Sequence, residues 1–322
     1  MRVLIVKLSS LGDVVHTMPV VHDIIGARSG AQIDWVVEPG FAPLVRRVDG
    51  VSEVIECALR RWSGQWWTRA TRAEWRVFRA RLQRERYDAV LDLQGLTKSA
   101  VIARLAHGVS YGLANRTEGA SHEPPARWLV DHAIRIEPRI HALDRSRVLA
   151  ARALGYALQG APEFGLRHGA AVPAPGVPTL VLVHGSSRDD KLWPEDHWIA
   201  FGRRVVQQGW RLALPHAGAQ ELERAQRLQA AFGAAAEVWP AMSLDALVDR
   251  MGATQGVVGV DSGLSHIAVA LNLPHVQLYN FPTAWRTGPQ TEHGHAHQVS
   301  VQAQPTPTVN EVWAAWLKVC GA

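Results

Sequence analysis

At 322 residues, with 47% hydrophobic and 20% charged residues, the chain has room for two ordinary globular domains, each with a sizeable core. Its two cysteines, Cys57 and Cys320, stand in no CxxC or zinc spacing, which points to a reducing compartment. The amino-terminal apolar run is too short for a signal peptide and no segment approaches the length of a membrane span, so a protein of the cytosol, free or bound at the cytosolic face of a membrane, is expected.

Arg2 to Leu8 predicts a first strand, followed by Ser9-Ser10-Leu11-Gly12-Asp13 and an apolar helix to about Ala27. Strands follow at Ile33 to Val37 and Val51 to Glu56. The next segment holds most of the basicity. Nine arginines against Glu74 and Glu85 between Arg60 and Arg86 make it +7 within a net charge of +5, so the remainder is −2. Trp62, Trp66, Trp67 and Trp75 are interleaved with them. That pairing suits an anionic surface with an apolar margin, such as phosphorylated lipid headgroups. Nucleic acid is the competing partner, and a solvated amphipathic helix from about Arg72 to Arg86 accounts best for the outer arginines. Arg60, Arg61, Arg69 and Arg72 are the better ligand candidates.

Tyr87 to Leu93 predicts a fourth strand, and Gln94-Gly-Leu-Thr-Lys98 leads into a helix through Leu105. Strands are expected at Val109 to Gly112 and His132 to Ile136, a loop at 115–125, and a helix from His141 to Leu154. Gly165 to Pro178 is rich in Gly, Ala and Pro and reads as a hinge. A second strand and helix series follows, with strands at Thr179–His184, Arg211–Leu214, Ala236–Trp239, Gly256–Val260 and His275–Tyr279, then a terminal helix from Val309 to Val319. Strand and helix alternation predicts two parallel-sheet α/β domains, with ligands in a cleft between them.

Ligands of open α/β sheets bind beyond the carboxyl ends of the strands, and the polar loops lie there. The first is no GxGxxG, because two of its three glycines are missing. Its Asp13 is either a general base or a helix-capping acid. After Thr179–His184, the loop Ser186-Ser187-Arg188-Asp-Asp-Lys191 offers donors to a diphosphate from several directions, or is a plain solvated connection. Asp261-Ser262-Gly263-Leu264-Ser-His266 ends another strand and opens a helix, where backbone amides would meet an anion; an ordinary capped turn is the alternative. His266 is a pocket residue or a satisfied helix histidine. Glu221 could grip a ribose diol or serve as a first-turn acid. His293-Gly-His295-Ala-His297 has no fourth ligand nearby and reads as a polar loop rather than a metal site. No Asp-x-Asp occurs, so charge neutralisation of a diphosphate would fall to Lys191, Arg188 and the helix dipole.

Taken together, Met1-Arg-Val-Leu-Ile-Val-Lys7 with Ser9-Ser10 and Gly12-Asp13, Asp34-Trp-Val-Val-Glu38, Arg60-Arg-Trp62, Tyr87-Asp-Ala-Val, Gln94-Gly-Leu with Lys98-Ser, Arg104-Leu-Ala-His-Gly108, Arg188-Asp-Asp-Lys191 with Trp193-Pro194, Met242-Ser-Leu and Asp261 to His266 resemble the lipopolysaccharide heptosyltransferases of glycosyltransferase family 9. The Arg-Asp-Asp-Lys loop is more similar to the branch adding the first heptose than to the second; that second type and a nucleotide-sugar epimerase on the same scaffold are the alternatives. The resemblance implies a GT-B fold, two Rossmann-like α/β domains facing each other across a cleft: 1–165 for the acceptor, a linker at 166–178, 179–308 for ADP-heptose, and a terminal helix at 309–322 that could pack back on the first domain. It implies inverting transfer of L-glycero-D-manno-heptose from ADP-heptose to Kdo of Kdo2-lipid A, without metal or cofactor, and with peripheral attachment to the anionic inner-membrane surface rather than to nucleic acid. Asp13 would be the base. Lys191, Ser186 and Ser187 would hold the diphosphate with the amides of Ser262, Gly263 and Leu264. Asp261 would contact the heptose, His266 the donor, Glu221 the ribose and Met242 the adenine. Lys7, Ser10, Arg60, Arg61 and Lys98 would meet the acidic acceptor. Ser262 stands where many members carry threonine, which keeps the hydroxyl.

Overall fold

The run Arg2–Val6 is continuously apolar after its first residue, and both faces of the strand it forms (β1) are covered by protein, as in the interior of a parallel sheet. In a computed structural model describing residues 1–169, 176–290 and 297–321, it is followed by β2 (Gln32–Val37), β3 (Val51–Glu56), β4 (Arg86–Asp92), β5 (His107–Leu113) and β6 (His132–Ile134). All pair in parallel in the order β3-β2-β1-β4-β5-β6. The second half repeats the plan with β7 (Thr179–Val183), β8 (Arg211–Leu214), β9 (Ala236–Val238), β10 (Gly256–Val260), β11 (His275–Tyr279) and β12 (Gln298–Gln302), in the order β12-β11-β10-β7-β8-β9. In each sheet the first strand lies beside the fourth, and the order reverses there. That reversal opens a crevice beyond the strand ends. In the first unit it is flanked by the loops after β1 and β4, in the second by those after β7 and β10.

Several boundaries differ from the expectation for physical reasons. The helix expected to run to Ala27 is two, Leu11–Val15 and Pro19–Ala27, because Pro19 has no amide to continue the ladder and sits in the first turn of a new helix. The arginine-rich helix begins at Arg69, three residues early, where the Thr68 hydroxyl accepts the Thr71 amide at 3.1 Å. The Leu59–Gln65 helix and β12 were not expected. Pro194 stands at the N-cap of the Glu195–Gln207 helix.

The chain divides into Met1–Arg167 and His168–Ala322. Leu166 and Arg167, expected in the linker, belong to the first unit: Leu166 bridges Val48, and the Arg167 amide donates to the Arg47 carbonyl at 2.9 Å. Gly165 turns there with φ +57°, and any Cβ would run into the His22 ring. Residues 170–175 of the expected linker lie outside the described residues. The terminal helix, Val309–Cys320, packs within its own unit, where the first domain had been the suggested partner. Its Val312, Trp316 and Val319 join a core with Leu180, Val258, Val276 and Leu278. Trp316 lies against Gly256, where a Cβ would overlap its ring, and meets Trp210 edge to face at 5.3 Å. Among the described residues, no helix is long and apolar enough to cross a membrane.

Candidate active site

At the reversal point of the first unit, Asp13 and Lys7 meet. Asp13 sits in the first turn of the Leu11–Val15 helix with its side chain 39% exposed, and its Oδ2 accepts from the Ser10 amide at 3.2 Å and the Ser10 hydroxyl at 2.9 Å. Its Oδ1 faces the Lys7 ammonium at 3.6 Å and the buried Arg145 guanidinium at 3.7 Å. Burial raises the carboxyl, but the two cations and the Ser10 bonds outweigh it and bring Asp13 down to about 2. Lys7 itself is 2% exposed and gives a hydrogen bond to the Leu93 carbonyl at 3.0 Å. Burial pulls it down to about 8. Its ammonium therefore lies between Asp13 and the Leu93 carbonyl, inside the protein. Ser10, an exposed residue, points its hydroxyl at Asp13.

The other acceptor candidates ring this point less tightly. Lys98 is exposed on the Thr97–Leu105 helix after β4. Arg60 is exposed and gives its amide to the buried Glu38 at 3.1 Å; burial raises the Glu38 carboxyl against the pull of Arg60 and Lys98. Arg61 is half-exposed and shares its guanidinium with Glu74 at 2.5 and 3.1 Å, and Glu74 also takes the Trp62 indole proton at 2.8 Å. Trp62 is buried against Trp75 and Phe78, whereas Trp66 and Trp67 stand exposed among the arginines.

In the second unit Asp261 is the hub. Its Oδ2 pairs with the Lys191 ammonium at 2.6 Å and its Oδ1 with His266 Nε2 at 3.4 Å; its side chain is 7% exposed, that of Lys191 23%. Burial opposes ionisation, yet His266 and Lys191 prevail and hold the carboxyl well below the usual carboxylate range. The loop after β7 reaches the same residue, since the Ser186 hydroxyl donates to the Asp261 carbonyl at 3.5 Å. Ser187 is exposed beside it. Arg188 is paired with Asp190, so its guanidinium is already committed. Ser262 caps the Gly263–Ala270 helix without a side-chain cap bond, and its buried hydroxyl has no partner, leaving the amides of Gly263 and Leu264 at the mouth of the first turn. Glu221 packs its carboxylate against Gly185 and accepts the Ala217 amide at 2.6 Å. Met242 is half-buried in the connection after β9. Ser186, Glu221, Met242 and Asp261 thus follow the carboxyl ends of four neighbouring strands. His293 and His295 lie outside the described residues, and His297 Nε2 donates to the Asn272 carbonyl at 2.9 Å. Among the described residues, no group of three or more His, Cys, Asp or Glu side chains could hold a metal ion.

Sequence reasoning passed over Arg145, Asp92 and Asn280. Arg145 is buried in the Ala142–Leu154 helix, and its partner Asp13 is far away in the chain. Asn280 braces the Arg188–Lys191 loop from the end of β11, giving its amide to the Asp190 and Leu192 carbonyls, each at 2.9 Å. A Tyr-Asn pair closing a predicted strand was the one available signal for it.

The repeated strand order with a polar loop at each reversal defines a protein of two doubly wound α/β units. A structure described as E. coli heptosyltransferase WaaC with ADP matches at a TM-score of 0.87 and 37% identity, covering 97% of this chain and 98% of that one. The same enzyme with ADP-2-deoxy-2-fluoro heptose matches at 0.81, covering 99% and 98%. The fold is that of a GT-B glycosyltransferase. The sequence pattern of Glycosyltransferase family 9 (heptosyltransferase) matches residues 75–315, and lipopolysaccharide heptosyltransferase 1 of Escherichia coli K12 is 41% identical over 87% of this chain and 88% of its own. The chain belongs to glycosyltransferase family 9, the heptosyltransferases. Sequence likeness to E. coli heptosyltransferase 2 spans 28% of the chain, and its structure, at 20% identity and a TM-score of 0.73, shares the fold, as does the UDP-GlcNAc 2-epimerase of Methanocaldococcus jannaschii at 11% identity. The heptosyltransferase 1 role therefore stands over both alternatives.

Proposed function

We propose that the chain moves L-glycero-D-manno-heptose from ADP-heptose to a Kdo hydroxyl of Kdo2-lipid A with inversion. Asp13 takes the hydroxyl proton, the oxygen attacks the anomeric carbon, and ADP leaves with the electron pair of the broken bond. Lys191, the Ser186 and Ser187 hydroxyls and the amides of Ser262, Gly263 and Leu264 stabilise the departing diphosphate. Asp261 orients the heptose hydroxyls, His266 steadies Asp261, Glu221 holds the ribose and Met242 lies beside the adenine. Ser10, Arg60, Arg61 and Lys98 recruit the acidic acceptor, while Lys7 works through Asp13. The observation that carries this reading is the Lys191–Asp261–His266 array beside a helix start with an unpartnered serine hydroxyl: an ammonium and free amides where a diphosphate arrives, and a carboxylate where a sugar follows.

Release of ADP from ADP-heptose, measured with and without Kdo2-lipid A, tests it. Turnover that requires the acceptor and persists in EDTA is expected; a sugar altered without acceptor would mean an epimerase. Exposed Trp66 and Trp67 among the arginines support peripheral attachment to an anionic membrane at the cytosolic face. Reversing the charge at Arg60 and Arg61 is expected to raise the acceptor KM about tenfold or more and leave the donor KM nearly unchanged, because an attraction of order 1 kcal/mol per cation becomes a repulsion. Equal effects on both substrates would remove these arginines from the acceptor side.

A further inference from the structure

Lys7 is the ammonium that faces Asp13, yet it scarcely touches solvent, so something within the fold must keep it charged. The parallel pairing of β1 with β4 sets Val6 opposite Asp92, one residue from Lys7. Asp92 is 1% exposed. Its Oδ1 accepts the amides of Gln94 at 3.0 Å and Gly95 at 3.3 Å. Its Oδ2 is sealed from solvent, with the Ser99 hydroxyl, which also lies 2.8 Å from the Leu96 carbonyl, nearby to lower the carboxyl against burial. A fully buried carboxylate is costly unless a cation offsets its charge. The charged groups acting on Lys7 are Asp13, Arg145 and Asp92, so two cations and two carboxylates balance in one enclosed cluster.

We propose that Asp92 is a positioning residue for the transfer: across the β1–β4 pairing its carboxylate keeps the Lys7 ammonium charged and aimed at Asp13, so that Asp13 meets the acceptor in one orientation. This rests on Asp13 being the base. The Asp92 side chain touches no substrate; it acts through Lys7. Burial pushes Asp92 up to about 6 and Lys7 down to about 8, so both are charged only between those limits.

The test is the pH profile of kcat/KM for acceptor-dependent ADP release, which reports groups of the free enzyme. The unaltered enzyme is expected to lose activity below about 6, as Asp92 takes a proton and no longer holds the still-charged Lys7 ammonium in place, and above about 8, as Lys7 loses its charge. Asp92→Asn is expected to lose the acidic limb and to shift the basic limb down by about one unit or more, which costs about tenfold above both limbs. Lys7→Arg carries a charge that no pH in the range removes, so its basic limb should vanish. An Asp92→Asn profile of unchanged shape, merely lower, would overturn the proposal. So would a basic limb that stays in Lys7→Arg, and that arm decides the matter alone if Asp92→Asn does not fold. Asp13→Asn run alongside separates the two readings: if it turns over, the base assignment fails; if it is inactive while the limbs stay fixed, only the role of Asp92 fails.

Discussion

Asp13→Asn is expected to lower kcat by about 10²–10⁴, the range of a general base, while ADP-heptose affinity stays within a few-fold. The substitution separates two roles that the side chain combines. As a capping group, Asp13 takes the Ser10 amide and hydroxyl on one oxygen, and an asparagine carbonyl can accept the same bonds. As a base it needs the charge that Lys7 and Arg145 face on the other oxygen. If capping were its whole purpose, Asn would cost no more than about 0.5–2 kcal/mol of stability and little rate. The sign of its ionisation is also checkable. Lys7 and Arg145 bring the folded carboxyl down to about 2 against burial, so the stability it contributes is present above the ordinary carboxylate value and is lost as pH falls toward 2. Asp13 therefore stays ionised across the neutral range, and an acidic limb near 6 in the rate profile belongs to another group.

Lys191→Ala is expected to cost about 10²–10³ in kcat/KM, the scale of removing one donor aimed at developing charge, and to weaken ADP binding about tenfold or more. The ammonium is partly exposed and bound to Asp261, so it is available to a diphosphate at the cost of one ion pair. With Lys191 gone, Asp261 keeps His266 alone, and its carboxyl rises toward the ordinary value. Lys191→Arg is expected to rescue little, because a planar guanidinium does not reproduce a compact ammonium at a 2.6 Å contact. Calorimetric titration with ADP and steady-state rates check both variants. Unchanged ADP affinity in Lys191→Ala would detach this lysine from the donor.

The interior strands were readable because buried strands are apolar runs: β8, β10 and β11 begin and end where the residues predict. β12 escaped because Gln-Val-Ser-Val-Gln lies at the sheet edge with its middle only half-buried, and its polar residues mask the strand. The loops beyond the strand ends were legible from their serines, glycines and charges, all within a few residues of one another. Their electrostatics was not. Arg145 reads locally as a solvated helix arginine, and only the fold brings it to Asp13, 132 positions away; Asp92 gains its significance from a strand partner 86 residues earlier. Arg61 is the converse case: its charge stays exposed, but the fold makes it share that charge with Glu74 of the next helix.

The placement of the last helix bears on how the enzyme is made. Val312, Trp316 and Val319 fill the face of the second sheet beneath the strands that carry Asp261 and Asn280. While the ribosome is still working, the amino-terminal half already has its six strands and can fold as soon as it emerges. The other half must wait for Val309–Cys320, with an apolar face uncovered in the meantime. A nonsense mutation just before Val309 would therefore be expected to leave the second unit unfolded and send the product to proteolysis, although Lys191, Asp261 and the other residues of the proposed donor site had been translated.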